Sequence, residues 1–221
     1  MIDLRMLIAE SKNKEGKMKR VILGMLTIMV FCSFGMGLKK DKTTSAIIRS
    51  LNTTTEERIF EQVARIKELV KTNPKYNNEI AFLLDMRIMS GKNRFFIYDL
   101  KNDKVIDQGL VAHGIGSGFY GDLKFSNEDY SYCTSLGNYY IGKSYIGQYG
   151  KSYRLHGFEE TNNNAFSRNI VLHKYDKVPY EEQNNIICNS LGCPMVNETY
   201  YKRIEKLIDA SKSNIILDIY Y

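Results

Sequence analysis

Arg94-Phe95-Phe96-Ile97-Tyr98-Asp99-Leu100, then Lys101-Asn102-Asp103-Lys104, then Val105-Ile106-Asp107-Gln108-Gly109-Leu110-Val111-Ala112 is the stretch that decides the fold class. Two runs rich in aromatic and β-branched residues flank four polar turn residues, which is the pattern of a β-hairpin. Working outward, strand patterns also occupy 81–89, 139–142, 153–157, 169–173 and 214–221, joined by Gly-rich connections. Short strands in this number, without an internal repeat, imply a mostly antiparallel β-sandwich or open barrel. Two helices interrupt the pattern. Thr53-Thr54-Thr55-Glu56-Glu57 holds two overlapping Thr-x-x-Glu capping boxes, and Ile59, Val63, Ile66 and Val70 follow at helical spacing. Asn73-Pro74 should stop that helix near Lys71. Tyr201, Ile204, Leu207 and Ile208 give 198–211 the same periodicity, so a second helix should pack across the sheet. The expected fold is mostly β, with an amphipathic helix before the sheet and a helix near the C-terminus.

The 221 residues, 43% hydrophobic and 12% aromatic, suffice for one ordinary domain plus a leader. The net charge of +6 is not a basic patch: residues 1–37 carry six Lys/Arg and three Asp/Glu, hence +3, which leaves +3 for the rest. No basic cluster interleaved with aromatics remains, so nucleic acid is not an expected partner. Lys17-Met18-Lys19-Arg20 precedes the apolar run 21–31, and Gly35 and Gly37 offer a cleavage site, as in a secretory signal peptide. Met18 is an alternative start. The competing reading is an uncleaved anchor over 21–38, the only route to a membrane. Cys32, beside Phe31, is a poor lipidation site. The expected organisation is an extension and signal peptide over 1–37, a tether and amphipathic helix over 38–75, and a catalytic domain over 76–221. The protein is then exported to the periplasm or cell envelope.

The chemistry is written in Ser190-Leu191-Gly192-Cys193-Pro194, twenty residues (193 − 173) after His173. A free thiol with a pKa of about 8.5 is mostly un-ionised at neutral pH and needs a base beside it to act as a nucleophile. Glycine before the cysteine allows a sharp turn and a close approach of substrate to backbone N–H groups. The strand-like run Asn169-Ile170-Val171-Leu172 would deliver His173 as that base. Gly192 and Cys193 N–H groups are the natural oxyanion donors, and the Ser190 hydroxyl suits holding either the loop or the substrate.

Ile170-Val171-Leu172-His173 with Ser190-x-Gly192-Cys193 resembles the signature of YkuD-like L,D-transpeptidases, and more narrowly the murein L,D-transpeptidase catalytic domain family. Phe95-Phe96-Ile97-Tyr98-Asp99-Leu100, Val111-Ala112-His113-Gly114-x-Gly116-Ser117-Gly118 and Ser135-Leu136-Gly137-Asn138-Tyr139-Tyr140 fit the same branch. The resemblance covers about 81–221. It implies a cysteine acyltransferase of the cell wall that crosslinks peptidoglycan stem peptides through a Cys193 thioester, with no metal or organic cofactor. The same residues serve an L,D-carboxypeptidase, in which water is the acceptor, and an inactive wall-binding module is the remaining alternative. The resemblance also implies that a backbone carbonyl just after the histidine, here that of Lys174, orients the ring. Many members carry Arg two residues after the cysteine, where this chain has Met195. Another cation must then meet the substrate carboxylate, and Arg168 and Arg154, on or beside strands leading to His173, are the candidates.

The remaining residues are less telling. His113 lies in a Gly-rich segment that lacks the Lys-Ser/Thr of a phosphate loop, so it is expected to flank the active site or touch substrate. His156, next to Gly157, has no evident partner. The three histidines show no zinc-ligand spacing. Cys133 and Cys188 either pair in an oxidising compartment or are separate thiols.

Overall fold

The computed structural model describes residues 53–221. The expected leader over 1–37, Cys32 and most of the tether lie outside the described residues. Helix α1 (Thr55–Thr72) starts at Thr54, where one capping box closes: Glu57 N–H donates to Thr54 Oγ1, and Thr54 N–H donates to the Glu57 carboxylate. Its stripe of Ile59, Val63, Ile66 and Val70 is buried, and it ends at Asn73 ahead of Pro74, as the sequence requires.

Nine strands follow, interrupted by one further helix: β1 (Tyr76–Asp85), β2 (Phe95–Asp99), β3 (Lys104–Gly109), β4 (Val111–Ala112), β5 (Gly137–Gly147), β6 (Gly150–Gly157), β7 (Val171–Lys174), β8 (Met195–Val196), helix α2 (Glu198–Ala210) and β9 (Asn214–Tyr220). They form one sheet in the order β3-β2-β1-β9-β5-β6-β7-β8-β4. Most pairs are antiparallel, but β1–β9 and β7–β8 run parallel. The apolar run on β1 reads without alternation because both its faces are covered. Ala81 and Leu83 join Phe96, Tyr98 and Ile216 under α1. Phe82 and Leu84 join Phe95, Ile97 and Leu217 in a second core, which α2 closes with Tyr200, Tyr201 and Ile204. The Tyr200 ring stands edge-on to Phe95 with centroids 5.4 Å apart, and its hydroxyl donates to the Phe95 carbonyl.

Several boundaries differ from expectation. β1 begins at Tyr76 rather than 81, because Asn77 Oδ1 accepts the N–H groups of Glu79 and Ile80 and carries the polar start of the strand past an irregularity. It stops at Asp85, whose carboxylate takes the Arg58 guanidinium and the Arg87 N–H. The hairpin closes as β2–β3 but ends at Gly109. Val111 and Ala112 leave it to pair with Val196 and Met195 of β8. β5 runs on to Gly147, through a register shift after Ile141, and turns back into β6. Those two departures shape the site, since β8 follows Cys193 and the β5–β6 turn carries Tyr149.

Candidate active site

His173 sits on β7 in register with Met195 of β8, two residues beyond Cys193. Its ring is 3% exposed. Nδ1 lies 2.9 Å from the Lys174 carbonyl oxygen, which can only accept, so Nδ1 carries the proton and the Nε2 lone pair is left free. Burial lowers the imidazole pKa below its ordinary value, and the Lys174 carbonyl offsets part of that. The ring is therefore neutral at pH 7. Tyr149 stacks on it with centroids 4.5 Å apart and an 18° tilt between planes. Nothing in the sequence pointed to Tyr149 beyond its place in the Gly147-Gln148-Tyr149-Gly150 turn.

Cys193 is half-buried, and its Sγ accepts the Val171 N–H at 3.4 Å and points its own proton at the Asn169 carbonyl, 3.7 Å away. No hydrogen bond joins it to the imidazole. Burial pushes the thiol pKa up, against smaller lowering effects from the Val171 N–H and the Arg168 charge. The resting residue is a thiol beside a neutral histidine, not a preformed ion pair.

Gly192 sets the direction of the cysteine. Its φ of +123° is open to glycine, and a Cβ there would press on Ile170 and the Cys133 carbonyl. Its N–H donates to Ser190 Oγ at 3.0 Å. That corrects the expectation of two oxyanion donors from this turn: the Gly192 N–H is spent inside the loop, while the Cys193 N–H has no acceptor among the described residues. Ser190 thus holds the loop, with its N–H on the His113 carbonyl and its own carbonyl on the Ile115 N–H.

His113 is not placed to touch substrate. It is 3% exposed, and both ring nitrogens are engaged. Nδ1 accepts from Arg94 at 2.8 Å, and Nε2 donates to the Gly118 carbonyl at 2.8 Å. Burial and the Arg94 charge push its pKa down to about 4. Arg94, fully buried, also donates to the carbonyls of Val111 and Ile88, and burial lowers its pKa to about 9. This segment braces the nucleophile loop. Gly114 bridges to Ser190 and donates its N–H to Thr134 Oγ1, and a Cβ on Gly114 would collide with the Tyr132 carbonyl and the Gly192 Cα. The chain had marked His113 by its glycines, but Arg94, one end of the hairpin run, gave no sign of its inward role.

The two arginines part company. Arg168 has one Nη1 bond each to the Ser126 carbonyl and Ser135 Oγ, and one Nη2 bond each to Ser131 Oγ and the Cys133 carbonyl. All four Nη hydrogens are used, which corrects its assignment as a carboxylate clamp. It staples the 126–135 loop beside Gly192 and lends its charge to Cys193. Arg154 has no hydrogen bond or ion pair from its guanidinium among the described residues. His156 has partners after all: it is stacked on Tyr140 at 4.5 Å and on Phe166 at 4.7 Å. Cys133, Cys188 and Cys193 are all free thiols, so the Cys133–Cys188 pair is absent.

Strand β7 thus carries a base-form histidine, and the turn leading into the neighbouring β8 carries a free thiol. The chain belongs to the L,D-transpeptidase catalytic domain family, whose model matches residues 51–217. Solved structures that match include Ldtfm as its avibactam carbamoyl enzyme (9% identity, TM-score 0.41, covering 66% of this chain and 50% of that one). An L,D-transpeptidase from Xylanimonas cellulosilytica matches at 11% identity and TM-score 0.35, over 65% of this chain and 61% of that one. The helical cell shape determining protein Pgp2 from Campylobacter jejuni matches at 14% identity and TM-score 0.41, over 65% and 47%. The chain spans less than two thirds of the length of each. No curated protein matches it.

Proposed function

We propose that the protein is an exported L,D-transpeptidase acting on peptidoglycan stem peptides. The observation that carries this is the His173 ring: neutral, fixed by Lys174, its Nε2 without a partner among the described residues, on the strand whose Val171 N–H donates to Cys193 Sγ. As the stem peptide binds, His173 Nε2 takes the thiol proton and Sγ attacks the carbonyl of the third residue. The Cys193 N–H donates to the developing oxyanion. The tetrahedral adduct collapses, the C–N bond to the terminal D-alanine breaks, and His173 returns the proton to the leaving amine. The thioester is then attacked by the side-chain amine of a second stem, whose surplus proton passes through His173 to the departing sulfur. A crosslink forms and the thiol is restored. A raised thiol pKa suits this order, since proton transfer accompanies attack rather than preceding it.

The test is mass spectrometry of muropeptides incubated with the protein. Crosslinked dimers are the expected product. Tripeptides alone would make it an L,D-carboxypeptidase, and unchanged muropeptides would leave a wall-binding module. Cys193→Ala should abolish product, whereas Cys133→Ala and Cys188→Ala retain it. His173→Ala should cost at least about 10²–10⁴-fold, and His156→Ala far less. Wild-type turnover by Cys193→Ala would sink the nucleophile assignment.

A further inference from the structure

Arg154 stands apart from the other inward arginines of the described chain. Arg58 and Arg203 pair with Asp85 and Asp107, and Arg94 and Arg168 spend their donors on carbonyls and hydroxyls. Arg154 is half-buried, yet its guanidinium has no hydrogen bond or ion pair among the described residues. What holds it is aromatic. Its Cζ lies 4.7 Å from the Tyr145 ring centroid and 5.3 Å from that of Phe166. Tyr145 is in register with Ser152, two residues before Arg154, and Phe166 stacks on His156, two residues after it. The rings therefore flank the guanidinium from both directions along β6. A guanidinium over aromatic faces is held by them while its in-plane N–H fork stays unused. A partly buried charge without an acceptor is costly, and an anion that fits the fork removes that cost.

Its place is specific. Arg154 is the register partner of Val171, the residue whose N–H contacts Cys193 Sγ. Val171 and His173 are two apart on β7, so Arg154 shares their face of the sheet. We propose that Arg154, held between Tyr145 and Phe166 one strand from the nucleophile, anchors the C-terminal carboxylate of the peptide that Cys193 attacks. A planar, bidentate anion such as a carboxylate matches one planar fork. This takes over the task assigned from sequence first to Arg168, and it rests on the acyl-transfer reading above.

The experiment measures binding apart from chemistry. Calorimetry on the full chain carrying Cys193→Ala compares a tetrapeptide stem with its C-terminal amide. The acid should bind about ten- to hundred-fold tighter than the amide, the worth of a charge-assisted contact. Adding Arg154→Ala should remove that preference, and Arg154→Lys, which keeps charge without the fork, should retain only part of it. Arg154→Lys supplies the same ratio if Arg154→Ala fails to fold. An unchanged acid-to-amide ratio in the variants, or no acid preference to begin with, overturns the anchor. Muropeptide turnover by the wild-type chain separates the two readings: an Arg154-dependent acid preference without turnover keeps the anchor and sinks the enzyme, and turnover without that preference does the reverse.

Discussion

Cys193 meets backbone on two sides, and that contact decides how it can react. Its thiol is raised by burial, and neither hydrogen bond to the sulfur involves His173. Were the pair a standing thiolate–imidazolium, alkylation would proceed with a midpoint well below neutrality, as in thiols paired with a histidinium. Here the iodoacetamide rate of the free protein should rise through a single ionisation above about 8.5, and His173→Ala should leave that midpoint nearly in place while abolishing turnover. An alkylation midpoint below pH 7 in the wild type, lost in His173→Ala, would refute a general-base role and restore the ion pair. The same residue shows what a motif conveys and what it omits. Gly192-Cys193 and His173 were singled out by residue type and order together with the family resemblance, because a lone Cys/His pair has many uses and the combined motifs have few. The spent Gly192 N–H was hidden because its bond to Ser190 Oγ, two residues back, depends on how the turn closes, and the saturation of Arg168 because its partners are carbonyls and hydroxyls of a loop 33–42 residues away in sequence. Tyr149 and Arg94 were hidden for the same reason.

At the scale of elements, local signals located the helices well, because a capping box and a period of 3.6 are contained in the segments themselves. The strands were located less well, because their ends are set by partners. Nothing within Leu110-Val111-Ala112 says that two of the three will leave the hairpin for β8, and a polar Tyr76-Asn77-Asn78-Glu79 does not look like a strand until Asn77 folds back on it. Nor does a mostly antiparallel reading foresee β1 beside β9: parallel partners 138 residues apart (214 − 76) join through the whole intervening chain. Helix α1 covers the sheet face on which these two strands lie, so its stripe should carry stability rather than chemistry. Ile66 is fully buried there, while Phe60, on the same helix, is 70% exposed. Ile66→Ala should cost about 2–5 kcal/mol, a large part of a domain's total of about 5–15 kcal/mol. Phe60→Ala should change stability by less than about 0.5 kcal/mol. Urea titration of both variants decides it, and equal losses would mean that α1 is not packed as described.

For the molecule as a whole, two buried groups pull its acid stability in opposite directions. His113 has its pKa pushed down to about 4 by burial and the Arg94 charge. Asp218, 4% exposed on β9, has its pKa pushed up to about 7 by burial and the neighbouring Glu159, with Arg65 opposing. The unfolded values are about 6.5 and 3.9. Between pH 4 and 6.5 the unfolded chain binds the extra proton at His113, so stability there rises with pH and is lost on acidification. Over nearly the same window, from 3.9 to 7, the folded chain holds the extra proton at Asp218, so that contribution is present in acid and is lost as pH rises. Each shift, taken whole, amounts to about 3–4 kcal/mol, and the two largely cancel. His156 and His173, also lowered by burial, add to the His113 side. Asp218→Asn keeps the neutral shape and removes one arm of the balance. Its stability should therefore fall more steeply than wild type as pH drops from 6.5 to 4, while at pH 7 and above the variant gains on wild type because the buried carboxylate is gone. His113→Gln should tilt the curve the other way, losing stability as pH rises from 4 to 7 relative to wild type, on top of a pH-independent cost for disturbing Arg94. Denaturant midpoints at pH 4.5, 5.5, 6.5 and 7.5 read both slopes. Parallel curves for wild type and Asp218→Asn would show that the β9 carboxyl is ionised in the fold at all these pH values, and the balance described here would be wrong.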